Sequence, residues 1–313
     1  MKPVEAEGLV RAFGDVTAVA GIDLQVDEGE IFGFLGPNGA GKSTTVRMLV
    51  TLLRPTAGNA RVAGFDVVKD ADSVRRLIGV ALQDAAIDPL MTGNELLRLQ
   101  AVLHGLGHRR AANRSAELLE RVGLTGAANR RVGTYSGGMR RRLDLALALI
   151  HRPAVLFLDE PTTGLDPTSR VAVWEEVRAL NDDGTTVFLT TQYLEEADEL
   201  AGRIAIIDGG VIVREGDPTV LKGRVGDPTL RVEVADNATI ELARRVLGAF
   251  GDERPARDGR VAIGLRGGAP RLTEVVRALD EQGVPVAHFE LDSPSLDDVF
   301  ADATGRRLEG AET

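Results

Sequence analysis

The chain has 313 residues, 43% of them apolar, a formal charge of -10 and no cysteine. That length and composition provide for one large α/β domain plus a smaller one. The acidic balance argues against holding nucleic acid by counterion release, and the lack of cysteine excludes disulfides, thiolate metal sites and a cysteine nucleophile.

The amino-terminal MKPVEAEGLVRAF has acidic residues where a secretory signal needs an apolar core, so a cytoplasmic chain is expected. IFGFL at 31 to 35 reads as a buried strand, GPNGAGKST as a glycine-rich loop from Gly36 to Thr44, and KSTTVRMLVTLL as the helix leaving it. After Gln83, NELLRLQAVLHGL and RRAANRSAELLERVGL have almost no β-branched residues and predict a helical insertion over about 84–150. VLFLD, TTVFLT and RIAIID then return as parallel-strand candidates separated by helical segments. The apolar runs AVLFL and LALALI are far shorter than the roughly 20 residues of a membrane helix.

GRVGDP at 223 to 228 reads as a linker, which sets a domain of 1–222 apart from one of 228–313. In the second, TLRVEV, RVAIGL and VPVAHFEL alternate with three helical segments, predicting three strands and three helices in a small α+β domain. Ser295 with Asp298 is a capping-box pattern that starts the last helix. No internal repeat is visible.

GPNGAGKST follows GxxxxGK[ST], and it holds one of only four lysines in the chain. Backbone N–H groups around Gly36, Asn38, Gly39 and Gly41 are expected to wrap phosphates, Lys42 to reach β and γ oxygens, and Ser43, with Thr44 beside it, to hold Mg²⁺. VLFLDE supplies a second anchor: Asp159, at a strand tip, faces the metal, and Glu160 is the expected general base for a water in line with the γ-phosphate. YSGGMRRRLDLALALI repeats the anion-ready helix start without a lysine, with Ser136 as N-cap and bare backbone at Gly137 and Gly138. Arg140, Arg141 and Arg142 then crowd the first turn, where positive charge opposes the helix dipole, so local helix stability does not explain them. One lysine loop and two anion-ready starts per chain predict a head-to-tail homodimer with two shared ATP sites.

The phosphate loop, Gln83, YSGGM, VLFLDEP and the GLD turn at Gly164 to Asp166 together resemble the ATPase subunits of ABC transporters over residues 5 to about 222. The fold this resemblance implies is α/β, a P-loop NTPase with a helical insertion, followed by the small α+β domain. It also implies that Phe13 stacks on adenine, the alternative being a core phenylalanine, and that Gln83 touches Mg²⁺ and water. Ser136 and Gly138 are implied to meet the opposing γ-phosphate, and Asp166 to lie at the dimer contact. Two departures are Tyr135 and Met139 within the signature. A third is Gln192, at the position of the usual switch histidine, which can polarise a phosphate oxygen but cannot carry a proton.

YSGGMRRRLDLA, TTGLDP, TTQYLEEAD and SLDDVF resemble the daunorubicin-resistance branch in particular. That likeness implies an ATP- and Mg²⁺-dependent subunit of a drug exporter, acting at the cytoplasmic face of a bacterial membrane through a separate polytopic permease, with the carboxy-terminal domain serving assembly, the alternatives being a solubility or a regulatory module. The alternative is a soluble ABC-type ATPase acting on ribosomes or DNA. A GTPase or small-molecule kinase is a third possibility, but the chain has no NKxD guanine-reading motif.

Overall fold

In a computed structural model, residues 2–82, 87–256 and 260–306 are described. Gln83 lies outside the described residues. The chain divides into two compact units, the first running to Asp217 and the second beginning at Pro218.

The first unit opens with a hairpin of β1 (Val4–Phe13) and β2 (Val16–Val26), paired from Val4 opposite Val26 to Phe13 opposite Val16. β3 (Ile31–Leu35) enters the glycine loop and α1 (Lys42–Leu49) leaves it. β4 (Ala57–Val62) and β5 (Phe65–Asp66) return to the hairpin, completing an antiparallel sheet in the order β2-β1-β4-β5. Next come α2 (Ala71–Leu77) and β6 (Ile78–Ala81), then three helices, α3 (Gly93–Leu103), α4 (His108–Arg121) and α5 (Gly137–Ala148). The unit ends with β7 (Val155–Asp159), α6 (Pro167–Asp182), β8 (Thr186–Thr191), α7 (Leu194–Leu200), β9 (Arg203–Asp208) and β10 (Val211–Gly216).

A second sheet has the order β10-β9-β3-β8-β7-β6, parallel except for β10. Every residue of β3, β7 and β8 is buried, the result of covering a parallel sheet on both faces. On one face Phe32, Phe34 and Phe157 surround Phe188 at centroid distances of 5.4 to 5.7 Å and join the core shared with α1 and the antiparallel sheet. On the other, Ile31, Leu156, Leu158, Val187 and Leu189 pack with residues of α3 to α6, Leu97, Leu118, Leu143 and Val177 among them. A capping box at Thr92 and Glu95 starts α3.

The second unit runs α8 (Pro218–Val225), β11 (Thr229–Val234), α9 (Ile240–Leu247), β12 (Gly251–Arg254), β13 (Arg260–Leu265), α10 (Leu272–Glu281), β14 (Val286–Asp292) and α11 (Leu296–Thr304). Its antiparallel sheet, β12-β13-β11-β14, with α9 and α10 as the connecting helices, is the βαββαβ ferredoxin-like arrangement. The sheet has four strands where the sequence predicts three. β12 is GDER, without a β-branched or aromatic residue, and it is a strand because it pairs with β13 from Gly251 opposite Leu265 to Arg254 opposite Ala262. The expected linker is shorter than GRVGDP, since α8 continues to Val225. The capping box at Ser295 and Asp298 is present. No helix among the described residues is long and apolar enough to cross a membrane.

Candidate functional site

The parallel sheet gathers the candidate residues at one edge. Leu35 lies opposite Thr191 and Asp159 opposite Thr190, so the glycine loop, the Asp159–Glu160 pair and Gln192 all leave the carboxyl ends of neighbouring strands. Open α/β sheets bind ligands there. Gly41 precedes α1 at φ 109°, and a Cβ on it would lie 2.5 Å from Ala18 O, so only glycine lets the loop pass. Asn38 and Gly39 form the exposed apex, and Ser43 and Thr44 are half-buried in the first turn of α1.

Lys42 is 3% exposed. Its Nζ donates to Gly36 O at 2.7 Å and Pro37 O at 3.1 Å and lies 3.3 Å from Glu160 Oε1. Burial lowers the pKa of this ammonium, and the Glu160 carboxylate opposes that shift. Ser43 Oγ donates to Asp159 Oδ1 at 3.2 Å, and Thr190 Oγ1 donates to the same oxygen. Glu160 has φ 49°, left-handed for a residue with a side chain. Its N–H is shared between Thr190 O at 3.0 Å and Thr190 Oγ1 at 3.2 Å, while Thr163 Oγ1 donates to Glu160 Oε2 at 3.2 Å. The geometry thus brings Lys42, Ser43, Asp159 and Glu160 together. Thr190 belongs to no motif in the sequence; within TTVFLT a threonine reads only as β-propensity.

Ser136 caps α5 by accepting from Met139 N–H at 3.2 Å. A Cβ on Gly138 would come within 2.7 Å of Ser169 Oγ, so the glycine permits close packing against the start of α6. Tyr135 is buried and its hydroxyl donates to Ala127 O at 2.8 Å, which satisfies the polar tip of the first signature departure. The arginine run needs a correction. Arg140 is exposed, but Arg141 and Arg142 turn inward: Arg142 Nη1 donates to Val122 O at 2.9 Å, and Arg141 to carbonyls at the edge of the parallel sheet. Internal backbone ties therefore account for two of the three arginines.

Phe13 is 47% exposed at the tip of the β1–β2 hairpin, with the Arg11 guanidinium 4.4 Å from its ring centroid, so it is not a core residue. Asp166 caps α6, accepting from Ser169 N–H at 3.0 Å and Ser169 Oγ at 2.6 Å, and these bonds hold its carboxyl below the usual range. Gln192 is half-buried immediately after β8. Among the described residues no group of three or more His, Asp or Glu side chains is arranged to hold a metal ion. A metal here would have a hydroxyl and one carboxylate, the small protein ligand set that suits Mg²⁺ completed by phosphate oxygens.

Residues 19–163 match the family model for ABC transporters. The daunorubicin resistance ATP-binding protein DrrA2 of Streptomyces coeruleorubidus is 51% identical, over 99% of this chain and 97% of its own length. The linearmycin resistance ATP-binding protein LnrL of Bacillus subtilis is 36% identical, over 97% and 99%. Among solved structures, the dimeric post-hydrolysis state of the ATP-binding cassette MJ0796, bound to ADP and Pi, aligns with a TM-score of 0.63 at 27% identity, over 68% of this chain and 98% of that one. The chain belongs to the ABC transporter family as an ATP-binding, ATP-hydrolysing subunit of its daunorubicin-resistance branch.

Proposed function

We propose that this subunit hydrolyses Mg-ATP to power export of a drug or antibiotic-like compound through a separate membrane permease. The observation that carries this reading is the paired geometry at the sheet edge: Lys42 at 3.3 Å from Glu160 and Ser43 at 3.2 Å from Asp159. Lys42, with backbone N–H groups from Gly36 to Thr44, holds the phosphates. Ser43, Asp159 and Gln83 hold Mg²⁺, which when bound neutralises charge on the phosphate oxygens. Glu160 takes the proton from the attacking water and Gln192 polarises the γ-phosphate through its amide. Phe13, exposed at its hairpin tip, stacks on adenine. Most of the rate enhancement is positioning and charge stabilisation, because phosphoryl transfer asks little covalent chemistry of the protein.

The site is completed by a second copy in head-to-tail orientation. Ser136 and Gly138 of each chain reach the other's γ-phosphate, and Asp166 lies at the contact. The helical insertion carries closure to the permease at the cytoplasmic face of the membrane. On α3, Leu99, Val102 and Leu103 are 47%, 41% and 72% exposed at helical spacing, an apolar stripe suited to a protein contact. The relatives' names, which speak of daunorubicin and linearmycin resistance, support the class of compound. The second unit serves subunit assembly.

Glu160→Gln tests the base. The variant is expected to bind Mg-ATP with near-parental affinity, to lose at least about 100-fold in kcat, and to accumulate as a nucleotide-bound dimer. Turnover at the parental rate sinks the assignment. Membrane co-sedimentation that depends on co-expressed permease checks the partner.

A further inference from the structure

Glu160 stands between two carbonyls that point at one side chain. Arg141, in the second turn of α5, donates from Nη2 to Asp159 O at 2.9 Å and from Nε to Pro161 O at 2.8 Å. The same guanidinium donates from Nη1 to Leu82 O at 2.9 Å, at the end of the neighbouring strand β6 and directly before Gln83, and to Asp144 Oδ2 at 3.0 Å. The Arg141 side chain is 13% exposed. Its planar fork thus meets four acceptors, and three of them are backbone oxygens at the catalytic edge of the sheet.

Stability alone does not account for this arrangement. A buried ion pair such as Arg141–Asp144 is often no better than apolar residues of the same volume. What the pair supplies is geometry. The left-handed backbone at Glu160, φ 49°, is unfavourable for a residue with a Cβ. It persists only if its surroundings hold it: Thr190 holds the Glu160 N–H, and the Asp159 and Pro161 carbonyls are the handles on either side, both taken by Arg141.

We infer that Arg141 is a positioning residue for hydrolysis: it locks the backbone on both sides of Glu160, so that the carboxylate keeps its place relative to Lys42 and moves as one piece with α5. Asp144 orients the guanidinium. Because α5 begins at Ser136, the clamp joins the helix start facing the partner's nucleotide to the base serving the chain's own. This inference rests on the reading of Glu160 as general base.

The test uses the full chain and three variants beside Glu160→Gln. Arg141→Met keeps volume and removes every donor, but it strands Asp144. Arg141→Met/Asp144→Ala removes the stranded carboxyl as well, and Arg141→Lys keeps the charge without the fork. Equilibrium binding of Mg-ATP, steady-state kcat and thermal midpoint are measured for each. Affinity is expected within about threefold of the parent in all three, and kcat down about 30-fold or more in the two methionine variants, as for misplacement of a catalytic group. The double variant should regain thermal midpoint over Arg141→Met without regaining kcat, and Arg141→Lys should fall between it and the parent. A double variant that hydrolyses at the parental rate overturns the inference, as does a kcat that merely tracks the thermal midpoint across the series. If Glu160→Gln is inactive while the double variant is fully active, only the clamp is wrong. If Glu160→Gln turns over normally, the base reading fails and the clamp with it.

Discussion

Gln192 follows β8, which lies between the strand feeding the glycine loop and the strand ending at Asp159, and in the proposed site its amide polarises the γ-phosphate. An amide donates and accepts but does not titrate. The kcat profile of the parent is therefore expected to show no limb from position 192 between pH 5 and 8. Gln192→His introduces an imidazole with an ordinary pKa near 6.5 and should add such a limb. Its activity at pH 8 should stay within about tenfold of the parent, because a neutral imidazole offers the same donor and acceptor functions. Abolished hydrolysis in a folded Gln192→His chain would count against the polarising role. At this scale the sequence is most legible where a motif fixes chemistry: Lys42, Ser43, Asp159 and Glu160 are found in mutual reach. It is least legible where a side chain's target is distant in sequence. Nothing in RRR tells that Arg141 reaches Leu82, Asp159 and Pro161 while Arg140 faces solvent.

Elements follow the same division. IFGFL, VLFLD, TTVFLT and RIAIID are readable because a strand covered on both faces carries an unbroken run of apolar residues at its centre, flanked in TTVFLT by β-branched threonines. Their order in the sheet, and the separate antiparallel sheet of β1, β2, β4 and β5, depend on pairings between distant segments and leave no local trace. α5 and the turn after it carry one buried and one half-buried titratable group with opposite linkage. Burial pushes the Asp144 carboxyl up to about 6, against the pull of Arg141. Between pH about 4 and about 6 the folded chain holds a proton that the unfolded chain has released, so this group's contribution is lost as pH rises. His151 is driven down to about 4, first by burial and then by His104, whose ring is stacked on it at 4.0 Å. Its contribution is full above pH 6.5 and lost as pH falls through about 4. The two slopes oppose each other over the shared window. Asp144→Asn removes one of them, so its stability should rise more steeply with pH than the parent's, the two curves separating by up to about 3 kcal/mol from pH 4 to 6. Urea unfolding at intervals across that range measures the separation, and parallel curves would show that the carboxyl titrates normally.

At the scale of the whole molecule, the chain offers one lysine loop and one bare helix start, and the proposed head-to-tail dimer sets each against its counterpart on a second copy. Two damaged chains should therefore repair each other. Lys42→Met removes the phosphate-binding ammonium but leaves Ser136, Gly137 and Gly138 intact. Gly137→Glu sets a carboxylate against the incoming γ-phosphate while keeping the Ser136 cap; a Cβ there meets nothing closer than Leu165 Cδ2 at 3.7 Å, so α5 is undisturbed. Each homodimer then has two defective sites. A mixed dimer has one site defective on both sides and one built wholly from undamaged parts. With random exchange of subunits and independent sites, an equimolar mixture should regain about a quarter of the parental ATPase rate, since half the dimers are mixed and each has one good site of two. Recovery should depend on total protein concentration, as association does. If the mixture is no more active than the average of the two variants, while both chains still bind nucleotide or dimerise with parental subunits, the lysine and the helix start do not act across an interface between copies.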